Sequence, residues 1–466
     1  MEHDDVLLSK NLTDLMKKYD RPGPRYTSYP TAPMFSGDFD HERNKEEIVR
    51  SNSSTNTADL SLYVHIPFCD TLCYFCGCTT IITKSRERVK EYIHYLKGEI
   101  DLLASHVAPQ RKIAQMHWGG GTPTYLTPAE ISDITLYIKK RFNFSNNAEV
   151  SVEIDPRDLS FEHLEALKRN GFNRVSMGVQ DFTEPVLSAI NRHQGEKITQ
   201  QAIDWSRSLG FSSLNLDLVY GLPLQTVETF QATLEKIIAI SPERIAVYNF
   251  AYVPWMKPHQ KLINLEDLPS PENKLKILVM TIRKLTEAGY EYIGMDHFAK
   301  ANDELKIAQT NKTLHRNFQG YSTKAGCDLF GLGMSSISHF ASNYAQNTKT
   351  LPEYYKAIDA GRFATEVGYH MSADDQLRKY VIMRLMCDLE LDIENVEKKF
   401  NIRFDEYFQD SLNKLQSLIG DGLIAREPGF LKVTMQGRMF LRNIAMCFDM
   451  YLAKIAKEKP IFSRTV

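Results

Sequence analysis

Short runs rich in β-branched and aromatic residues alternate with helical stretches from about residue 60 onward. Apolar residues between these runs recur at helical spacing, as they do from Val89 to Leu103. The alternation predicts parallel strands joined by helices, in either a doubly wound sheet or a barrel. The candidate strands are LSLYVHIPF, IAQMHWGGG, VSVEIDP, RVSMGVQDF, LNLDLVYGLP and RIAVYNFAYV, with YEYIGMDHF as a further one.

Two of these strands favour the barrel. In SVEID the apolar Val152 and Ile154 alternate with polar residues, and LNLDL repeats the pattern with Asn215 and Asp217. Strands of a doubly wound sheet are covered on both faces, so they read as continuous apolar runs. A barrel that is sheathed in helices and holds a polar ligand inside accounts for one apolar and one polar face. We therefore predict an α/β fold with a partial parallel (β/α) barrel.

The pattern is different at the two ends of the chain. The beginning holds DRPGPRYTSYPTAPMF, which has no period, and then the polar SNSSTNTADL. After about residue 350 the strand pattern stops, and near the end DGLIAREPGFLKVTMQGRMFLRN predicts helix, hairpin and helix in a winged-helix-like order. The predicted organisation is an N-terminal arm and linker at 1–57, the barrel at 58–348 and a mostly α-helical, winged-helix-like domain at 349–466.

Composition and charge limit the cellular locations and the binding partners that we expect for the protein. The 466 residues are 43% hydrophobic and carry a formal net charge of -2, which gives no global attraction to nucleic acid or to an anionic membrane. The winged-helix-like segment lacks a dense basic stripe, so we interpret it as a structural lid or cap. The chain begins without a signal-like segment and has no run near the ~20 apolar residues that span a bilayer. We expect a cytoplasmic monomer with no nucleic-acid or membrane partner.

The stretch CDTLCYFCGC places four of the seven cysteines within ten positions, just after the first predicted strand. Three sites are compatible with such a loop: structural zinc, a redox-active thiol pair, or an iron–sulfur cluster. Cys69, Cys73 and Cys76 form CxxxCxxC, and Cys78 follows Cys76 too closely for a closed four-ligand shell. Three thiolates on a cubane cluster leave one iron open for a ligand. Zinc stays an alternative that predicts a colourless protein.

A CxxxCxxC loop after the first barrel strand resembles that of the radical S-adenosylmethionine enzymes. Taken together, the motifs of this chain are similar to those of one family among them, the oxygen-independent coproporphyrinogen III oxidases. The resemblance runs from the N-terminal arm to near the C-terminus. The motifs that carry it are RYTSYPTA, YVHIPFCDTLCYFCGC, HWGGGTPTYL, VEIDPR, FNRVSMGVQDF, DLVYGLP and LHRNFQGYST.

The resemblance implies a 4Fe–4S cluster on Cys69, Cys73 and Cys76, and two molecules of S-adenosylmethionine. The positions matching those that serve one molecule are Tyr63, Gly120, Glu153 and Ile337. Those matching the other are Phe75, Gly121, Thr122, Gln180, Arg192, Asp217 and Ala251. We add His65 as a candidate proton donor, and Arg25 and Arg316 as candidates for binding substrate carboxylates. Individually, the glycines also suit a plain tight turn, Glu153 and Asp217 suit lumen ion pairs, and the arginines suit structural roles.

The implied activity is an oxidoreductase step of porphyrin and haem biosynthesis. It is the anaerobic oxidative decarboxylation of two propionates of coproporphyrinogen III to vinyl groups by a 5′-deoxyadenosyl radical, giving protoporphyrinogen IX. A hydrogen-atom abstractor is needed because nothing stabilises a carbanion at the propionate β-carbon. The reaction calls for an electron donor to the cluster and an electron acceptor. A haem-binding chaperone of the same superfamily is the alternative, disfavoured by Cys78 and by the RYTSYPT arm.

Overall fold

The computed structural model describes residues 10–52, 58–452 and 462–465. Residues 53–57 of the predicted linker lie outside this range. The strands are β1 Leu60–Ile66, β2 Phe68–Cys69, β3 Ile81–Ile82, β4 Lys112–Gly120, β5 Asn143–Ile154, β6 Arg174–Gln180, β7 Ser213–Tyr220, β8 Arg244–Asn249, β9 Tyr290–Gly294, β10 His297–Lys300, β11 His315–Asn317, β12 Gly320–Ser322, β13 Asp328–Leu332, β14 Ile337–Phe340, β15 Asn343–Asn347, β16 Thr365–His370, β17 Glu390–Asp392, β18 Ile424–Glu427 and β19 Phe430–Val433.

The α-helices are α1 Lys10–Tyr19, α2 His41–Ser51, α3 Arg86–His106, α4 Pro128–Lys139, α5 Phe161–Arg169, α6 Glu184–Ala189, α7 Glu196–Ser208, α8 Val227–Ile240, α9 Pro271–Glu287, α10 Glu304–Thr310, α11 Leu351–Asp359, α12 Ala373–Asp388, α13 Ile393–Phe400, α14 Phe404–Tyr407, α15 Gln409–Gly420 and α16 Leu441–Met446. No helix within the described residues is long and apolar enough to span a membrane.

Contacts group the chain into two compact units. One consists of Met34–Leu218 and Gly326–His370, and we call it the barrel unit. The other consists of Met1–Pro33, Val219–Ala325 and Met371–Val466, and we call it the arm unit. This grouping follows contacts and not chain order, and the predicted boundaries at 57/58 and 348/349 stay a prediction.

The barrel unit is built on parallel strands. β1 lies between β13 and β4, and β5, β6 and β7 follow in order, all parallel to their neighbours. Side chains such as Val64, Trp118 and Val152 are fully buried, because they project from the strands toward the covering helices. Glu153, between Val152 and Ile154, points to the opposite face, as the alternation predicted. The parallel α/β core with its arm and helical C-terminal part is therefore confirmed.

Antiparallel strands extend this sheet from β13 through β14 and β15 to β16. The expectation that strands end near residue 350 was wrong, because β16 lies at Thr365–His370. Its sequence TEVGYH gives little apolar signal, and Gly368 is held where an added Cβ would lie 2.4 Å from the Tyr344 carbonyl oxygen. β16 therefore depends on close backbone packing at Gly368, which a hydrophobic pattern in the sequence does not reveal.

The arm unit combines helices with short antiparallel strands. β10 pairs with β8 and β9, and β11 pairs with β12. β19 lies between β17 and β18 in a small sheet. The hairpin predicted around Pro428 and Gly429 is present as β18 and β19, with Gly429 at φ 76° in the connecting turn. α15 precedes the hairpin and α16 follows it, so the predicted order of elements is correct.

Candidate radical-generating site and cationic cavity

The cysteine loop leaves the carboxyl end of β1 and is closed at its base. β2, which ends at Cys69, pairs in parallel with β3 at Ile81–Ile82. Within the loop the Cys76 amide donates to the Cys73 carbonyl at 3.1 Å, and the Tyr74 amide donates to Ile190 at 3.0 Å. These bonds fold Cys69, Cys73 and Cys76 into one compact segment at the strand ends.

Two guanidinium groups contact the sulfur of Cys73, which is only 8% exposed. Arg157 Nη2 donates to Sγ at 3.4 Å, and Arg192 Nη1 donates at 3.6 Å. Both arginines also bind Asp155, at 2.7 and 3.1 Å. Burial opposes ionisation of Asp155, but Arg192 and then Arg157 outweigh it and hold the pKa of this carboxyl below its usual value. Since a neutral thiol is a weak acceptor, two cationic donors on one sulfur suit a thiolate.

The other cysteines of the loop differ in their surroundings. Cys69 Sγ lies 3.4 Å from Thr122 Oγ1, and burial raises the pKa of its thiol to about 12. Binding of iron at Cys69 would therefore release a proton. The Cys78 amide donates to Cys76 Sγ at 3.4 Å. A side-chain hydrogen bond with Cys76, followed by the charge of Cys76, raises the pKa of the Cys78 thiol. Cys78 thus lies in the same loop, beside Cys76.

Among the described residues, no three His, Cys, Asp or Glu side chains converge on a point that holds one ion. A 4Fe–4S cluster does not need such convergence, because each thiolate binds a separate iron atom. The soft donor set, its position on one loop and the cationic partners of Cys73 fit that cluster.

Glycines at the end of β4 bring backbone against the cluster loop. Gly120 has φ +116°, and a Cβ there would lie 2.7 Å from the His65 ring. A Cβ on Gly121 would lie 2.7 Å from the carbonyl oxygens of Pro67 and Phe68. The Gly121 amide donates to Ile66 at 2.8 Å, and the Thr122 amide donates to Phe68 at 2.8 Å. Neighbouring protein atoms leave no room for a Cβ at either position, so packing requires glycine here, and the contact of these glycines with S-adenosylmethionine stays a prediction.

Two carboxylates, Glu153 and Asp217, project from the polar face of the parallel strands. Glu153 Oε2 accepts the Gly120 amide at 3.3 Å, and its side chain remains 45% exposed. Asp217 accepts hydrogen bonds from Ser176 at 3.0 Å and from Asn215 at 2.8 Å. Burial, followed by the charge of Glu153, raises the pKa of Asp217 to about 7. Neither carboxylate forms an ion pair with Lys or Arg among the described residues, so this face retains negative charge.

Sequence reasoning placed Asn215 on the polar face but missed His117 and Ser176 as partners of these carboxylates. His117 stands between Ser151 and Glu153, with Nδ1 at 2.7 Å from the hydroxyl and Nε2 at 3.3 Å from the carboxylate. Like Ser176 and Asn215, it lies on the polar face of a strand. The same alternation that revealed Glu153 and Asp217 was the available signal.

His65 is buried on β1 and both of its ring nitrogens have partners. Nε2 lies 3.0 Å from the Thr79 carbonyl, which can only accept, so Nε2 carries the hydrogen. Nδ1 accepts from the Tyr63 hydroxyl at 3.1 Å. Burial lowers the pKa of His65, which keeps the ring neutral at pH 7. Its role as a proton donor stays a prediction.

The remaining predicted residues of the barrel unit lie at loop or strand ends. Gln180 ends β6 with φ +69°, and a Cβ on Gly178 would lie 2.5 Å from its side-chain nitrogen. Arg192 Nη2 donates to the Gly178 carbonyl at 2.7 Å, which places Arg192 and Gln180 together. Phe75 is half-buried in the cysteine loop, and Ile337 begins β14.

Ala251, Arg25 and Arg316 belong to the arm unit. Ala251 follows β8 and, with Arg25, lines a cavity of about 510 Å³. Arg25 forms an ion pair with Asp296, and its guanidinium lies 5.8 Å from the centroid of the Tyr248 ring. Arg316 is 3% exposed and donates from Nε to the Arg25 carbonyl at 3.4 Å. The structure thus brings the two predicted substrate arginines together.

Comparison with known proteins agrees with this geometry. The model of the Radical SAM superfamily matches residues 63–237, and the model of the HemN C-terminal domain matches residues 371–440. The chain is 44% identical over 455 residues to the oxygen-independent coproporphyrinogen III oxidase of Escherichia coli K12, covering 97% of this chain and 98% of that protein. It is 46% identical over 457 residues to the enzyme of that name from Synechocystis, covering 97% of each.

A solved structure of coproporphyrinogen III oxidase (HemN) from Escherichia coli, a radical SAM enzyme, matches with a TM-score of 0.89 at 44% identity, covering 94% of this chain and 99% of that one. The cysteine loop on a parallel barrel defines a radical S-adenosylmethionine protein. Within that superfamily, the chain belongs to the family of oxygen-independent coproporphyrinogen III oxidases. The match spans both the arm and the C-terminal region, which favours this family over the haem chaperones.

Proposed function

We propose that the protein converts two propionate side chains of coproporphyrinogen III to vinyl groups without oxygen, giving protoporphyrinogen IX. The observation that carries this proposal is the cysteine loop with Arg157 and Arg192 on the Cys73 sulfur, beside the Gly119–Thr122 segment and Glu153. A cluster and S-adenosylmethionine, when bound, supply one-electron cleavage of the sulfonium and a 5′-deoxyadenosyl radical.

The chain's own residues bind and orient these groups. Cys69, Cys73 and Cys76 would hold the cluster, and the Gly120, Gly121 and Thr122 segment, packed against His65, Pro67 and Phe68, would lie beside S-adenosylmethionine. Glu153 and Asp217 supply carboxylates for the amino, sulfonium and ribose groups of S-adenosylmethionine. The further residues assigned to the two S-adenosylmethionine molecules by family resemblance are Tyr63, Phe75, Gln180, Arg192, Ala251 and Ile337.

Each propionate loses one hydrogen atom, one electron and carbon dioxide when it becomes a vinyl group. The bound cofactor would supply the group that takes the hydrogen atom, and an external acceptor would take the electron. Two such events account for the two vinyl groups and for two molecules of S-adenosylmethionine. Arg25 and Arg316 bind substrate carboxylates in this proposal. A cytoplasmic location, a monomeric state and separate electron donors and acceptors stay predictions.

The experiment is an anaerobic assay of the reconstituted protein. Reduced protein is mixed with S-adenosylmethionine and coproporphyrinogen III, and mass spectrometry measures 5′-deoxyadenosine and decarboxylated porphyrins. Formation of both products, dependent on S-adenosylmethionine and on an added electron acceptor, is expected. An iron-free protein that binds zinc, or 5′-deoxyadenosine formation that never yields a vinyl product with any acceptor, would refute the proposal.

A further inference from the structure

The cavity of the arm unit is walled by segments that lie far apart in the sequence. Its cationic side chains come from the arm, from α9, from the region of α16 and from the last described residues. They are Arg25, Lys274, Arg438, Arg442 and Arg464. Aromatic side chains, among them Tyr220, Phe250 and Trp255, form other parts of the wall. A volume of about 510 Å³ is in the range of small-molecule sites.

The two carboxylates of the cavity are already engaged. Asp296 pairs with Arg25, and Asp20 pairs with Arg464 at 2.5 Å. Lys274, Arg438 and Arg442 have no ion pair with a carboxylate among the described residues. The cavity therefore holds an excess of positive charge that its own walls do not balance.

The hydrogen-bond donors of Arg442 are already used within the protein. Its guanidinium donates to the carbonyls of Gly23, Pro24 and Arg464, with 3.0 Å to Pro24 and 2.8 Å to Arg464. It therefore contributes charge and ties the arm to the end of the chain, but has little donor capacity left. Arg442 shapes the cavity and is a poor candidate for direct ligand binding.

Lys274 and Arg438 are the donors that the fold leaves available. Arg438 gives one N–H to the Tyr292 carbonyl at 3.0 Å, while its buried Nε has no partner among the described residues. Lys274 Nζ likewise makes no hydrogen bond within the described part of the chain. A buried donor without an acceptor is costly, so an acceptor from a ligand is expected at Arg438 Nε, and the half-buried Lys274 Nζ lines the same cavity.

The electrostatics of the neighbouring cations point the same way. Burial, followed by repulsion from Arg25, lowers the pKa of Arg442 to about 9. Burial and then Arg316 lower the pKa of Arg25, and burial lowers that of Lys274. Every shift disfavours the charged form, and burial is its largest cause, even for Arg25, which pairs with Asp296. A bound anion would oppose each of these shifts.

We propose that this cavity binds the propionate carboxylates of the tetrapyrrole, with Lys274 Nζ and Arg438 Nε as direct donors. The identity of the ligand rests on the proposed function, whereas the requirement for several carboxylates rests on the charge of the cavity. The aromatic walls suit the apolar rings of such a ligand. Lys274 and Arg438 thereby join Arg25 and Arg316 as substrate-binding residues.

The test is direct binding of coproporphyrin III, an oxidised and stable form of the substrate, to the anaerobically purified, cluster-loaded full chain. Fluorescence titration compares this tetracarboxylate with its tetramethyl ester, which has the same rings and no charge. The acid should bind at least about tenfold more tightly than the ester, since charge-assisted bonds are lost with the ester. Equal binding of the two would overturn the proposal.

Variants identify the donors. Lys274→Met and Arg438→Met should each weaken binding of the acid by about tenfold and leave binding of the ester unchanged. The matched control is Lys276→Met, which removes a lysine of the same helix whose side chain is 55% exposed and pairs with Glu272. Lys274→Arg keeps the charge and should bind within about threefold of the natural chain. If both Met variants bind the acid normally, the cavity is not the carboxylate site.

This measurement stands apart from the test of the proposed function. A chain that binds coproporphyrin III through Lys274 and Arg438 but forms no vinyl product would retain the cavity proposal and lose the reaction. A chain that forms the product while both Met variants bind normally would retain the reaction and lose the cavity proposal.

Discussion

The barrel unit and the arm unit handle charge in opposite ways. In the barrel unit Asp155 pairs with both Arg157 and Arg192, while Glu153 and Asp217 keep no cationic partner from Lys or Arg among the described residues. In the arm unit Asp20 and Asp296 are used by arginines, while Lys274 and Arg438 remain without a carboxylate. Each unit leaves unbalanced the charge opposite to that of its proposed ligand, a sulfonium cofactor in one and a polycarboxylate in the other.

Loss of one cluster ligand should remove the chemistry of the barrel unit and spare the cavity of the arm unit. In Cys73→Ala we expect production of 5′-deoxyadenosine to fall at least about a thousandfold, because the cluster loses a ligand and the reaction loses its electron source. Iron content and visible absorbance should fall with it. Cys327→Ala, outside the loop, is the control and should keep both. Retention of a full cluster by Cys73→Ala would contradict the ligand assignment.

Asp217, which has no Lys or Arg partner among the described residues, should make the stability of the protein depend on pH. The pKa of Asp217 is about 7 in the folded chain and lies near 3.8 when exposed, so the folded state binds more protons between these values. The free energy of unfolding should therefore decrease as pH rises from about 4 to about 7. Asp217→Asn should remove this dependence and stabilise the ligand-free chain by about 2 kcal/mol at pH 8.

The same substitution should weaken binding of S-adenosylmethionine by about tenfold, because the carboxylate that balances its positive charge is gone. Denaturant unfolding at several pH values measures the first effect, and calorimetry with the cluster-loaded chain measures the second. Asp204→Asn on the exposed side of α7 is the matched control. A variant that is less stable at pH 8 than the natural chain would show that the buried charge of Asp217 does not destabilise the fold.

The arginines that pair with Asp155 should affect the reduction potential of the cluster. One-electron reduction adds a negative charge, and hydrogen bonds from Arg157 to the Cys73 sulfur stabilise it. In Arg157→Met we expect a more negative reduction potential in an EPR-monitored titration, with unchanged iron content. Reductive cleavage of S-adenosylmethionine should slow by about tenfold at a fixed potential of the reductant.

Arg169→Met, at an exposed position of α5, is the control for Arg157→Met. Arg157→Lys should recover part of the shift in potential, because lysine restores the positive charge but not the planar guanidinium group. If the potential stays constant while the activity falls, Arg157 acts on something other than the cluster.

The smallest effect is expected at the Tyr63 hydroxyl. Tyr63→Phe removes the donor to His65 Nδ1 but leaves the Nε2 bond to Thr79. We expect kcat to fall by about twofold to fivefold with no change in cluster content. Tyr95→Phe, which removes an exposed hydrogen bond from α3 to Asp359, is the control. A loss above a hundredfold would assign the hydroxyl a direct part in the reaction.

Local patterns predicted the barrel unit better than the arm unit. The cysteine spacing, the glycines of HWGGGTP and the alternation around Glu153 and Asp217 are each contained in about ten residues, and the structure places these segments together at the strand ends. The Asp155 pairing with Arg157 and Arg192 was not predicted, because Arg192 arrives from a loop 37 residues beyond Asp155.

The cavity of the arm unit could not be found by such reasoning. Lys274 and Arg438 lie on different elements, and neither stands in a motif that distinguishes it from a solvated surface cation. Arg25 and Arg316 were proposed because the implied substrate has several carboxylates and because both residues lie in irregular segments that contain Pro or Gly. The unbalanced charge of the cavity exists only after folding, since it depends on which carboxylates Arg25 and Arg464 have already bound.

The hydrogen bonds from Arg442 to the arm also affect how the protein folds during its synthesis on the ribosome. Arg442 holds the carbonyl of Gly23 across 419 positions of the chain. At roughly 5–20 residues per second, the arm emerges from the ribosome on the order of half a minute before its anchor is synthesised. All residues of the barrel unit precede Met371, so we expect it to fold first. We therefore expect nascent chains stalled before residue 442 to protect the cysteine loop from protease while the arm is still cleaved.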